Sequence, residues 1–126
     1  MGIVEFRVPR SAPIKMSRDV DYVIYHIQYG AAAEKLWLTM MFGGLVGGQT
    51  PHQLQDSSIK WSASKWSYSG IEGGDWKGTA ADGRRWRHVN IPLSGYAAYE
   101  GVPQKAADFF DKILDSMCCG KCGGCK

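Results

Sequence analysis

Apolar and charged residues alternate along Ile3–Val8, with Ile3, Glu5 and Arg7 on one side of the alternation and Val4, Phe6 and Val8 on the other. A period of two marks a half-buried strand, and Pro9 ends it. Arg10–Asp19, interrupted by Pro13, has the composition of a connector. Val20–Tyr29 (VDYVIYHIQY) is dense in β-branched and aromatic residues, which fit a pleated surface, and reads as the strongest strand of the chain. Leu36–Phe42 is expected to be its hairpin partner, with a helical turn through Ala31–Lys35 as an alternative for the linking segment. Gly43–Asp56, with four glycines among its residues and Pro51, reads as a loop.

A meander is expected next. Ile59–Ser62 and Lys65–Glu72 place Trp or Tyr between Ser and Lys, and Gly73-Gly74 is the predicted turn into Asp75–Ala80. Asp82-Gly83 predicts a hairpin, because a tight type I′ turn needs positive φ. Arg84–Ile91 is then the last strand, stopped by Pro92. Ser94–Gly101 reads as a loop. Pro103 suits the first turn of a helix, where its missing N–H has no intrahelical acceptor to serve. Ala106, Phe109, Phe110, Ile113, Leu114 and Met117 recur at helical spacing, so the helix from Pro103 to Met117 should lay one apolar stripe across the sheet.

The predicted fold class is α+β: one domain, a twisted antiparallel sheet of about six or seven strands packed by a C-terminal helix. Residues 1–117 form the globular part and residues 118–126 a flexible Cys/Gly tail. In the order of its elements the chain is similar to the PsbP-like sandwiches: Phe6-Arg7-Val8-Pro9 early, the strand Val20–Tyr29, a meander, then a late helix. The similarity is one of layout; it carries no diagnostic motif and assigns no family. Length and composition agree with a folded domain, since 126 residues with 44% hydrophobic and 12% aromatic content can build a core without staples. The net charge of +3 bears on solubility more than on partners, and a nucleic-acid partner is not expected from it. No apolar run reaches the length needed to span a bilayer, and the N-terminus lacks the pattern of a secretory signal. A cytoplasmic location is therefore expected, with a processed form of an exported chain as the alternative.

Chemistry concentrates at the C-terminus. Cys118, Cys119, Cys122 and Cys125 are the four cysteines of the chain, spaced C-C-x-x-C-x-x-C among glycines and next to Lys121 and Lys126. Thiolates are nucleophiles and soft ligands, and lysines nearby lower thiol pKa values. The cluster is a candidate site for Zn or Cu(I), or for redox work. It lacks the paired knuckles of a structural zinc site and the closing Cys-Pro of a ferredoxin run. S-acylation, with membrane association through the acyl chain, is the rival reading; a tail with no dedicated role is the third.

A second candidate is the basic–aromatic strand Arg85-Trp86-Arg87-His88, where cations and rings together suit an anionic ligand or nucleic acid. Trp61, Trp66, Tyr68 and Trp76 on preceding strands would extend that surface. Strand alternation, however, sends Arg85 and Arg87 to one face and Trp86 and His88 to the other, so a shared platform requires a favourable twist. His26, His52 and His88 show no metal-ligand spacing, and no serine lies in a nucleophile elbow. Gly43–Gly48 matches neither a P-loop nor a dinucleotide fingerprint. Binding is thus expected over catalysis. An enzyme using His26 or His88 as acid–base is the remaining alternative.

Overall fold

The computed structural model describes residues 4–43, 51–68, 71–92 and 94–119. Its strands are β1 (Val4–Glu5), β2 (Ile14–Arg18), β3 (Tyr22–Gln28), β4 (Trp37–Gly43), β5 (Ile59–Tyr68), β6 (Ile71–Ala80), β7 (Arg85–Ile91), β8 (Gly95–Val102) and β9 (Cys118–Cys119). The helix α1 spans Gln104–Asp115. Seven strands form one antiparallel sheet in the order β2-β3-β4-β8-β7-β6-β5, and β1 pairs separately with β9. Two meanders, β2–β4 and β5–β8, thus meet at the β4–β8 seam. The α+β class with a C-terminal helix is as the sequence predicts.

Register decides what faces the helix. One row of paired residues runs Tyr25, Met40, Ala97, Val89, Asp75 and Ser64 across β3, β4, β8, β7, β6 and β5. It lies on the helix side, and its first four members belong to the core or pack against it. The neighbouring row, His26, Thr39, Ala98, His88, Trp76 and Ala63, lies on the opposite side. From α1, Ala106, Ala107, Phe110, Ile113 and Leu114 turn inward. They meet Ile27, Leu38, Val89, Ala97 and Tyr99, all 4% exposed or less. The small side chains of Ala97, Ala106 and Ala107 let helix and sheet approach closely, and Phe110 fills the space between them.

Several elements differ from expectation, each for an identifiable reason. Ser94–Gly101, read as a loop, is most of the central strand β8: Gly, Ala and Glu are poor strand formers, but here burial under the helix sets the conformation. Within it Gly101 adopts φ 59° at a register shift, where Arg85 pairs Val102 but Arg87 pairs Tyr99. The left-handed residue absorbs one extra position, and both Tyr99 and Val102 end up on the helix side. Gly73-Gly74 is not a turn. Both glycines lie inside β6, and a Cβ on Gly73 would run into the Trp66 ring and the Asn90 carbonyl, one on Gly74 into the Trp76 ring. They are packing positions beneath indoles, so β5 runs unbroken through the segment read as two strands.

Part of the Arg10–Asp19 connector is the edge strand β2, joined to β3 by a turn through Val20-Asp21, two positions the sequence predicts as strand. Of the predicted Ile3–Val8 strand, Val4–Glu5 is extended in a ladder and Phe6–Val8 is not, Ile3 lying outside the described residues; the turn through Ala32–Glu34 is 3₁₀. The Asp82-Gly83 reversal is a hairpin with a three-residue loop: Ala80 and Arg84 are hydrogen-bonded at 2.9 Å, and of the loop residues Gly83 alone has positive φ, at 90°. It is not the two-residue type I′ turn. After α1, Cys118–Cys119 pairs in register with Glu5 and Val4.

Candidate functional site

Among the described residues, three cavities that border the sheet bear on function. One, about 420 Å³, is lined by Ala63, Lys65, Glu72, Gly73, Trp76 and Asn90 among others, and its two charges neutralise each other in a Lys65–Glu72 ion pair of 3.4 Å. A second, about 300 Å³, lies between β4 and β8 on the side away from the helix, where Lys35 and Glu100 again oppose each other in sign. The third, about 330 Å³, is different: Lys60, Lys77 and Arg85 line it with Ser62, Thr79 and Asp111.

Its construction follows from the ladder. Lys60 pairs with Thr79 and Thr79 with Arg85, while Ser62 pairs with Lys77 and Lys77 with Arg87. These two rows share the helix side of β5–β7. Neighbouring strands are spaced by about 4.8 Å, so Lys60 and Arg85 are rooted roughly 10 Å apart, within common reach of their long side chains. The helix contacts β7 and β8, leaving this flank of the sheet uncovered. Lys60 and Lys77 are exposed, and no carboxylate among the described residues pairs with either one or with Arg85. The Nε of Arg85 is buried and has no hydrogen-bond acceptor among the described residues; Trp61 Nε1 is the other such atom. A buried unmet guanidinium donor is costly, and an oxygen of a bound anion would satisfy it.

Arg87, one residue pair away, is spoken for. Its Nε and one terminal nitrogen donate to the two carboxylate oxygens of Asp75 at 3.1 and 2.8 Å. The remaining donors reach Asp111 at 3.1 Å and Asp115 at 3.0 Å. Burial alone would lower the guanidinium pKa, but the hydrogen bonds and charge of Asp75, with Asp111 and Asp115, outweigh it and hold the group above its ordinary value. Tyr99 donates to the same Asp111 oxygen at 2.8 Å, and burial followed by the Asp111 charge pushes its phenol up, so it stays a neutral donor. Asp111 therefore borders the cationic groove with its charge already engaged.

The structure separates the four residues of the basic–aromatic strand. Arg85 lines the groove and Arg87 is locked in the internal ion network. Trp86 and His88, both 8% exposed, lie on the opposite face. There His88 stacks on Tyr96 at 4.9 Å and meets Trp76 edge-on at 5.9 Å, while Arg84 sits 5.3 Å above the Trp86 ring. The regular β6–β7 ladder keeps the arginine and tryptophan side chains on alternate faces, although Trp61 and Trp86 also border the cavity that Arg85 lines. Lys60 and Lys77 carry no signal of their own in the sequence; nothing in a single strand announces that positions on three strands fall in two adjacent rows of one face.

Of the cysteines, Cys118 and Cys119 lie in the two-residue ladder with β1, and Cys122 and Cys125 fall outside the described residues. Among the described residues no group of three or more His, Cys, Asp or Glu is placed to hold a metal ion, and no helix is long and apolar enough to cross a membrane. No family model, no curated protein and no solved structure matches the chain, so this groove stands on its own geometry.

Proposed function

We propose that the protein is a non-catalytic binding module that takes a small anion bearing a phosphate, sulfate or carboxylate group in the groove over β5–β7. Arg85 and the ammonium groups of Lys60 and Lys77 supply charge, and the hydroxyls of Ser62 and Thr79 supply neutral donors. The observation that carries this reading is the excess of unpaired cations around one cavity, together with the buried Arg85 Nε that lacks an acceptor. Calorimetric titration with inorganic phosphate, pyrophosphate and sulfate tests it. Saturable, salt-weakened binding is expected for at least one of them. Arg85→Ala and Lys77→Ala should each weaken it about ten-fold, since hydrogen bonds to charged groups contribute about 1.5–3 kcal/mol. Lys65→Ala, in the charge-neutral cavity, should leave it unchanged. Absence of saturable binding, or equal effects of all three variants, defeats the proposal.

A second reading rests on the thiol run. The pairing of Val4 with Cys119 and Glu5 with Cys118 ties the start of that run to the body, so two of its four backbone positions are set by the fold. On this reading Cys118, Cys119, Cys122 and Cys125 hold Zn or Cu(I). Titrating the reduced protein with each metal, beside a chain ending at Met117, should give tight binding that the shortened chain loses. Equal binding by both chains removes the thiol run from consideration.

A further inference from the structure

The two edges of the sheet are protected unequally. β5 turns Lys and Ser side chains outward and keeps Trp61 and Trp66 half-buried. All five residues of β2 are exposed, and its apolar side chains Ile14 and Met16 are 51% and 55% exposed. Val20, in the turn that follows, is 94% exposed. The ladder also shows which amides are free. Asp19 N–H donates to Tyr22 and the Pro13 carbonyl accepts from Gln28, so odd-numbered residues of this strand bond toward β3. Ile14, Met16 and Arg18 therefore direct their N–H and C=O groups outward. An edge with free amides and exposed apolar side chains is a template for another strand.

We propose that a second copy of this chain adds there, β2 against β2, antiparallel about a two-fold axis through Ser17. Charge selects this partner and this register. With Ser17 opposite Ser17, Lys15 of each copy faces Asp19 of the other, and the hydrogen-bonding residues Met16 and Arg18 fall opposite each other. Ile14 then comes beside the Val20 turn of the other copy. Shifting the axis to Met16 loses the Lys15–Asp19 pairs, and shifting it to Lys15 sets that lysine against itself, which is destabilising. Among the described residues the Asp19 carboxylate accepts from Val20 N–H at 2.7 Å, within its own hairpin, leaving lone pairs for a lysine. The contact is isologous, so each favourable pair occurs twice and the assembly closes as a dimer with both helices on the same side of a continuous sheet.

Sedimentation velocity over a range of protein concentrations, at low and high salt, tests this with the full chain. A monomer–dimer equilibrium that tightens at low salt is expected. Lys15→Glu alone should weaken dimerisation ten-fold or more by setting two carboxylates together, and Asp19→Lys should do the same with two ammonium groups. The double variant Lys15→Glu/Asp19→Lys should restore association, which a merely misfolded variant would not do. A monomer at every concentration, single variants that dimerise as the parent does, or a double variant that stays weak would each overturn the proposal. The groove over β5–β7 lies at the opposite edge of the sheet, so anion binding and dimerisation stand or fall separately.

Discussion

Arg87→Leu is expected to lower the unfolding free energy by about 3–5 kcal/mol, the range seen when one member of a buried ionic cluster is removed. The cost arises less from lost attraction than from what is left behind. Asp75 is only 13% exposed and would keep a carboxylate without a cation, and Asp111, 28% exposed, would keep Tyr99 alone as its donor. Asp115, at 63%, can return to water and contributes little. Urea denaturation of the variant beside Lys77→Ala checks this: Lys77 pairs with Arg87 across the ladder but has no carboxylate, so its removal should change stability by less than about 0.5 kcal/mol. A loss below 1 kcal/mol for Arg87→Leu would mean that Asp75 and Asp111 regain water without the helix being displaced.

Phe110→Ala should cost about 3–5 kcal/mol, at the upper end for core truncations. Phe110 is fully buried, and its ring meets Tyr99 at 5.6 Å, Phe109 at 5.8 Å and Tyr29 at 6.4 Å. It thereby joins β8, the end of β3 and the helix. Its small neighbours Ala97, Ala106 and Ala107 have no side chain with which to fill the void, so the cavity persists and adds to the transfer cost. The adjacent Phe109 is half-buried, and Phe109→Ala should cost visibly less. Thermal unfolding separates the two, with each kcal/mol displacing Tm by roughly 3–6 °C in a domain of this size. Equal losses would place the helix differently from the packing described.

What could be read from the residues alone follows the strength of local signals. The helix stripe from Ala106 to Leu114, the β3–β4 pair and the Asp82-Gly83 reversal each have a periodicity or a turn residue that fixes them locally; Met117, predicted to end the helix, lies beyond its last residue, Asp115. β8 has neither: Gly95–Val102 is extended because its alanines are wanted beneath a helix, a requirement visible only when the two are together. Gly73-Gly74 misleads for a related reason, since a glycine that accommodates an indole and one that makes a turn look the same in a sequence. The site was legible in one member. Arg85 stood out beside a tryptophan, whereas Lys60 and Lys77 join it only through the β5–β6 and β6–β7 registers, which bring together positions far apart in the chain.

The irregularity at Gly101 has a consequence for how the chain tolerates change in length. One surplus residue there inverts the parity of everything that follows, and α1 starts almost immediately afterwards. Were that residue deleted, Tyr99 and Val102 would stand two positions apart and still share the helix side; were it kept and β8 straightened, Val102 would turn away and take the start of the helix with it. The left-handed glycine thus makes an insertion harmless, returning Val102 to the side on which the helix must begin.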